Sequence, residues 1–160
     1  MNMMVTKDTQ QTQEFFVPMF GLSLDTYIEK DIKQGIHHVG RYLWAAEVVR
    51  ESGAAKVLDL ACGAGRHSKV LCERWWTVGL DLSMSLLRTA RHDSGDAPFV
   101  RADMRELPFA DHSFDLVVNL FTSFGYFDDD REQVRVLAGV RSAMRDGGTL
   151  VIDFFNANQV

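Results

Sequence analysis

Short apolar runs alternate with amphipathic stretches along the chain after Gly53. The apolar runs are rich in Val, Leu and Phe and predict five strands, at 56–60, 76–81, 98–103, 114–121 and 148–155. The stretches between them carry apolar residues at helical spacing and predict helices at about 65–74, 84–92 and 129–145. Nearly continuous apolar strands that alternate with helices form a parallel sheet covered on both faces. The pattern therefore predicts a three-layer α/β/α sandwich.

The third predicted helix has a definite face and a definite end. Its face is marked by five positions at helical spacing, which are Val134, Leu137, Ala138, Arg141 and Met144. We expect the pair Gly147-Gly148 to end it, because glycine commonly follows the last helical turn.

The region before Gly53 predicts one long amphipathic helix. Apolar residues recur at spacings of three and four over about residues 26–51, and Thr26 with Glu29 forms a capping-box signature. Residues 1–14 are polar and rich in Gln and Thr, which predicts a flexible arm. We therefore expect one domain over residues 15–160.

Composition restricts the function. The chain has 160 residues, 46% of them hydrophobic and 24% charged, as in one soluble globular domain. Its net charge of −5 and the lack of a basic run argue against a nucleic-acid partner. Cys62 and Cys72 have neither disulfide-scaffold nor zinc-site spacing, so we expect reduced thiols and no metal. A small-molecule substrate is favoured.

Nothing in the sequence predicts a membrane protein. No apolar stretch is long enough to span a bilayer, and the first residues lack a basic segment followed by an apolar one. We expect a cytoplasmic location.

A glycine-containing turn joins the first strand to the first helix. Gly63 and Gly65 follow the strand KVLDL after Ala61 and Cys62, and the absence of Cβ atoms at the two glycines permits a sharp turn and close approach of a ligand to the backbone. The third glycine of the dinucleotide-binding pattern Gly-x-Gly-x-x-Gly is replaced by Ser68. An ordinary strand-to-helix turn remains the alternative.

Three acids stand at the ends of successive predicted strands. Asp59, Asp81 and Asp103 are spaced twenty-two residues apart. Ligands of parallel α/β folds bind at the carboxyl ends of the strands, where a carboxylate can accept both hydroxyls of a ribose. Any one of these acids alone could be a solvated loop residue or a helix cap, but their repetition favours a shared ligand.

The motifs together resemble a known family. The segments VLDLACGAGRHS, VGLDLS, RADMRELPFADHSFDLVVNLFTSFGYF and RDGGTLVIDFFN are similar, in order and spacing, to class I S-adenosylmethionine-dependent methyltransferases of the bacterial small-molecule type. The resemblance covers residues 15–160. It implies a Rossmann-like fold with strand order 3-2-1-4-5, the N-terminal helix as a lid, and methyl transfer to a small molecule by in-line displacement.

The resemblance also implies a role for each matching residue. Gly63 and Gly65 would lie beside the methionyl and ribose parts of S-adenosylmethionine, with Asp59 and Ala61 near its ammonium group. Asp81 would accept the ribose hydroxyls, and Asp103 the adenine amino group. Apolar and backbone contacts to adenine would come from Leu82, Ala102 and Met104. The sulfonium end, and the product S-adenosylhomocysteine, would face Asn119, Leu120 and Phe121.

Catalytic residues are harder to assign from the sequence. Tyr126, just past the fourth strand, and His67, at the mouth of the glycine turn, are the residues that could orient or deprotonate the acceptor. A packed residue at the start of a helix is the alternative for His67, and a core or substrate-wall role is the alternative for Tyr126.

The resemblance stops after the fifth of the family's seven strands. We therefore expect a truncated domain, in which the fifth strand is an exposed edge that favours a homo-oligomer. A catalytically weak cofactor-binding or assembly module is a second hypothesis. A nicotinamide-dependent oxidoreductase is a third, which Ser68 and the absence of a Tyr-x-x-x-Lys pair disfavour.

Overall fold

Five parallel strands and three helices make up the part of the chain that the structure describes. The structure is a computed structural model, and it describes residues 53, 55–93, 97–121 and 123–153. The strands are β1 (Lys56–Leu60), β2 (Trp76–Asp81), β3 (Phe99–Arg101), β4 (Phe114–Asn119) and β5 (Met144–Ile152). The helices are α1 (Arg66–Leu71), α2 (Met84–Asp93) and α3 (Asp130–Ala143). The expected arm at 1–14 and lid helix at 26–51 lie outside the described residues.

The sheet has the order β3-β2-β1-β4-β5, and all of its pairs are parallel. This confirms the predicted strand order. The register pairs Asp59 of β1 with Gly79 of β2 and with Val118 of β4. Because the strands are parallel, their carboxyl ends meet at one edge of the sheet, which we call the carboxyl edge.

Two apolar clusters cover the two faces of this sheet. Leu58 and Leu60 of β1 share a buried cluster with Val136 and Val140 of α3. Phe99 of β3 belongs to the other cluster, with Leu87 and Ala90 of α2 as its neighbours. Successive residues of a strand point to opposite faces, and in β3 Phe99 belongs to one cluster while Val100 packs against the other. The result is the expected three-layer arrangement.

Helix α3 buries a different face from the one that the sequence predicted. The buried residues are Val136, Val140 and Ala143, whereas Val134 and Leu137 are exposed. Helix α3 has apolar residues on two faces. The face that is buried packs in one cluster with Phe114 and Val117 of β4. Helical periodicity within the segment could not choose between the two faces.

The junction of α3 and β5 also differs from the prediction. The helix ends at Ala143, before Gly147-Gly148, and both glycines lie inside β5. Phe114 pairs with Met144, but Leu116 pairs with Thr149, so β5 contains extra residues that bulge out of the ladder. The bulge explains the glycines: Gly147 has a φ of 78°, and a Cβ at Gly148 would lie 2.9 Å from the carbonyl oxygen of Arg145.

Candidate cofactor site

The turn after β1 leaves an open space above its backbone. Ala61, Gly63 and Gly65 have left-handed φ angles of 59°, 56° and 76°. Within the part of the chain that the structure describes, a Cβ placed on Gly63 would meet no atom within 4 Å. The turn is fixed from below, because the Cys62 N–H donates to the Leu80 carbonyl of β2 at 2.9 Å. The backbone of Gly63 is therefore held in place and accessible to a ligand.

Asp81 connects this turn to the start of α2. Its Oδ2 accepts from the Gly63 N–H at 2.8 Å, and its Oδ1 accepts from the Ser83 N–H at 2.8 Å. An ionised carboxylate has about two acceptor positions on each oxygen. Among the described residues these two donors are the ones bound, so each oxygen of Asp81 keeps one position for a ligand.

Asp59 is buried below the turn. It is 1% exposed, and the Ser68 hydroxyl donates to its Oδ2 at 2.6 Å. Burial raises the pKa of Asp59 to about 6, although the hydrogen bond from Ser68 opposes this rise. Ser68 stands at the position where the dinucleotide-binding pattern has its third glycine, and its hydroxyl is thus the partner of the buried carboxyl group of Asp59.

Asp103 lies at the same edge but is held by a different partner. The Ala102 N–H donates to the Asp81 carbonyl at 3.2 Å, which sets the end of β3 beside the end of β2. Both carboxylate oxygens of Asp103 bind the guanidinium of Arg105. These hydrogen bonds lower the pKa of Asp103, so its carboxylate is ionised at neutral pH. Ala102 and Met104 are partly buried and pack against the apolar cluster that contains Val136 and Val140 of α3.

The end of β4 completes the carboxyl edge. Asn119 is 1% exposed, and its Nδ2 donates to the Leu60 carbonyl at 2.8 Å, which joins β4 to β1 just before the glycine turn. Leu120 is half-buried beside it. Phe121 has a φ of 66°, uncommon for a bulky residue, and is 45% exposed with the guanidinium of Arg66 over its ring.

Leu82 and the two predicted catalytic residues differ in exposure. Leu82 is 59% exposed, and Tyr126 is 75% exposed on the loop between β4 and α3. His67 is buried in α1, and burial together with the nearby Arg66 lowers its pKa to about 3. Its imidazole is therefore neutral at pH 7 and a weak proton acceptor. The structure places the predicted cofactor residues at the carboxyl edge. Among the described residues of that edge, none is hydrogen-bonded to Tyr126.

Sequence reasoning missed three contributors to this edge. The Ser83 N–H binds Asp81, the Ser68 hydroxyl binds Asp59, and Arg105 binds Asp103. The signal for Ser68 was its place in an otherwise glycine-type pattern. For Arg105, the signal was its spacing of two residues from the acid that ends the third strand.

The sheet order and the glycine turn after β1 define a protein of Rossmann-like α/β fold. Residues 57–148 match the methyltransferase domain family. The chain therefore belongs to this family, in its class I S-adenosylmethionine-dependent type, and S-adenosylmethionine is the cofactor of that type. The family and the cofactor predicted from the sequence are confirmed.

Curated relatives act on chemically different molecules. The chain is 32% identical over 105 residues to the dTDP-3-amino-3,4,6-trideoxy-alpha-D-glucopyranose N,N-dimethyltransferase of Streptomyces venezuelae. The matched region covers 65% of this chain and 44% of that protein. The chain is 37% identical over 109 residues to the demethylmenaquinone methyltransferase of Thermotoga maritima, covering 66% of this chain and 46% of that protein. The chain spans about half the length of the curated relatives it matches.

A solved structure of similar fold contains the cofactor. SAM-bound CalS10, an amino pentose methyltransferase from Micromonospora echinaspora, superposes with a TM-score of 0.67 at 26% identity, covering 82% of this chain and 56% of that chain. None of the helices in the described part of this chain is both long and apolar enough to cross a membrane.

Proposed function

We propose that this chain binds S-adenosylmethionine at the carboxyl edge of its sheet, as the cofactor-binding part of an enzyme that methylates a small molecule. The observation that carries the proposal is the pairing of Asp81 with Gly63. The carboxylate keeps one acceptor position on each oxygen, next to a backbone position where a Cβ would meet no atom of the described residues within 4 Å.

The acceptor positions of Asp81 suit a ribose. Two neighbouring hydroxyls need two acceptors, and a carboxylate with one free position on each oxygen offers that number. A phosphate at the same place would be repelled by the negative charge. The residues present therefore fit the unphosphorylated ribose of S-adenosylmethionine.

The remaining residues of the edge fit the other parts of the same molecule. Asp59 and the backbone of Ala61 would hold its ammonium group, while Leu82 and Met104 would contact adenine. When bound, S-adenosylmethionine supplies a methyl group on a positively charged sulfur. Asn119, Leu120 and Phe121 would exclude water from that end, because the charge is lost most readily in a dry site.

A small-molecule acceptor is supported by what the relatives act on, an amino sugar nucleotide and demethylmenaquinone in the two named above. Tyr126 would orient the acceptor from the loop after β4, since its side chain is accessible. The pKa of His67 gives it little capacity to accept a proton at neutral pH, so its expected contribution is to pack the start of α1.

The first test is isothermal titration of the full chain with S-adenosylhomocysteine, with NADH as the control ligand. We expect binding of the first ligand alone. Asp81→Ala should weaken that binding by about tenfold or more, because it leaves ribose hydroxyls without acceptors.

Asp115→Ala is the matched control. Asp115 also accepts from two backbone N–H groups, those of Ala55 and Lys56, but at the amino edge of the sheet. We expect this variant to lose stability and keep its affinity. Equal loss of affinity in both variants, or no binding by the folded wild-type chain, contradicts the proposal. Turnover on the two classes of acceptor named above would separate an enzyme from a cofactor-binding module.

A further inference from the structure

Arg105 directs two of its three guanidinium nitrogens at one carboxylate, that of Asp103. Its Nε lies 2.9 Å from Oδ1 of Asp103, and its Nη2 lies 2.5 Å from Oδ2. Its backbone N–H also donates to Oδ1 at 2.9 Å. A planar guanidinium that meets both oxygens of a carboxylate fixes the plane of that carboxylate as well as its position.

The other side of Arg105 is anchored to α3. Its Nη1 donates to Oε2 of Glu132 at 2.8 Å, and its guanidinium lies 4.8 Å from the centre of the Phe127 ring. The side-chain amide of Gln133, on α3, donates to the Phe127 carbonyl at 3.1 Å. This hydrogen bond ties the backbone of Phe127 to the helix. Arg105 is therefore fixed by α3 and by the loop before it, both of which are distant from β3 in the sequence.

These bonds leave Asp103 with fewer free acceptor positions than Asp81. Oδ1 accepts from two donors and Oδ2 from one, so three of about four positions are used by Arg105. Among the described residues no other donor reaches this carboxylate. One position remains, on Oδ2, which suits a single N–H donor and not a pair of hydroxyls.

We propose that Arg105 is the positioning residue that sets the preference of this site for a 6-amino purine, by fixing the one free acceptor position of Asp103. The inference rests on the proposed function, because it needs the adenosyl group at this edge. A 6-oxo purine presents an oxygen where adenine presents an N–H, and that oxygen would face a fixed carboxylate oxygen without a proton between them.

The test compares S-adenosylhomocysteine with S-inosylhomocysteine, whose base has an oxygen in place of the 6-amino group and a proton on N1, by isothermal titration of the full chain. We expect the wild-type chain to prefer the adenosyl ligand by about tenfold or more. In Arg105→Ala the carboxylate can rotate, so the preference should fall to near unity. Arg105→Lys keeps the charge but not the planar fork, so its preference should be intermediate.

Arg135→Ala is the matched control. Arg135 also joins α3 to the segment after β3, through Glu106, and it acts on Asp103 through its charge alone, without a hydrogen bond among the described residues. It should lose less thermal stability than Arg105→Ala, because its one ion pair is more exposed, and it should keep the ligand preference of the wild type. A preference ratio is insensitive to a general loss of folded protein, so it separates positioning from a purely structural role.

Each outcome has a distinct meaning. An unchanged ratio in Arg105→Ala and Arg105→Lys, with S-adenosylhomocysteine still bound, overturns this inference and leaves the proposed function intact. Equal affinity of the wild-type chain for both ligands overturns it in the same way. Absence of binding to either ligand by the folded wild-type chain overturns the proposed function and this inference together.

Discussion

Single residues at the carboxyl edge differ in how many of their acceptor positions the protein already uses. Asp81 gives one position on each oxygen to backbone donors, Asp103 gives three to Arg105, and Asp59 is buried with Ser68. Three carboxylates that look alike in the sequence therefore have different capacities to bind a ligand. The hydrogen-bond partners of each carboxyl group determine how many acceptor positions remain for a ligand.

Gly63 provides a test of the open space above the turn. Gly63→Val should place its side chain where a ligand would lie and weaken S-adenosylhomocysteine binding by about tenfold or more. It should also cost about 1–2 kcal/mol of folding free energy, because its φ of 56° is strained for a residue with a Cβ. Isothermal titration and urea unfolding measure the two effects.

Gly147→Val is the control for that strain. Gly147 has a φ of 78°, and a Cβ there would also meet no atom of the described residues within 4 Å, but it lies in the β5 bulge, near the amino edge. It should lose similar stability with unchanged affinity. If the Gly63 variant kept wild-type affinity, the turn would not be part of the site.

The pKa values of Asp59 and His67 predict opposing contributions to stability between about pH 4 and 6. Asp59 has its pKa raised from 3.8 to about 6, so the folded chain binds a proton more readily than the unfolded chain, and this contribution is lost as pH rises. His67 has its pKa lowered from 6.5 to about 3, so its contribution is lost as pH falls. The two slopes nearly cancel in the wild type.

Single substitutions should reveal each slope. In Asp59→Asn the free energy of unfolding should rise with pH by about 1 kcal/mol per unit over this range, since His67 acts alone. In His67→Gln it should fall with pH by a similar amount. Urea unfolding at several pH values measures both. Parallel pH profiles for the two variants would mean that one of the groups is not buried in its neutral form.

At the scale of elements, glycines in β2 and α3 have opposite constraints. A Cβ on Gly79 would lie 2.5 Å from a ring carbon of Phe99 and 2.9 Å from Sγ of Cys62, between β2 and its neighbours. A Cβ on Gly139 would lie 3.7 Å from Leu107, which is ordinary contact. Space is therefore lacking at the first position and available at the second.

The corresponding alanine variants should move stability in opposite directions. Gly79→Ala should destabilise the fold by about 1–3 kcal/mol through overpacking. Gly139→Ala should stabilise it by up to about 1 kcal/mol, because alanine is the better helix former. Urea unfolding compares them. Destabilisation by Gly139→Ala would mean that α3 packs more closely on Leu107 than the structure indicates.

The accuracy of sequence reasoning also varied by element. The bounds of β1 and β2 were predicted to the residue, because each is a compact apolar run between turn residues. The end of α3 and the start of β5 were misplaced, since the bulge that contains Gly147 and Gly148 exists only through pairing with β4. Long-range pairing has no local signature in such a segment.

At the scale of the whole molecule, the two edge strands differ in exposure to other chains. β3 has three residues, and short edge strands resist pairing. β5 has nine residues and pairs, within the described part of the chain, with β4 alone. Self-association through β5 remains a prediction, and light scattering should give a concentration-dependent mass above 18.1 kDa.

Two lysine substitutions separate the surfaces that could cause association. Thr149→Lys puts a charge on β5 and should return the chain to a monomer, because lysine on an edge opposes strand pairing. Val134→Lys changes the exposed face of α3, where Val134 is 63% exposed, and should leave the mass unchanged. A monomeric wild type, or loss of association in the Val134 variant alone, contradicts pairing through β5.

The sequence by itself determined the number and order of the strands and helices after Gly53, the parallel sheet, and the acids and glycines at its carboxyl edge. These features depend on local apolar periodicity and on spacing along the chain, which the sequence contains directly. Tertiary structure decided which face of α3 is buried, how β5 bulges, and which partners hold Asp59, Asp81 and Asp103. Those outcomes depend on contacts between distant segments, such as Arg105 with Glu132, whose energies exist only after the segments have packed together.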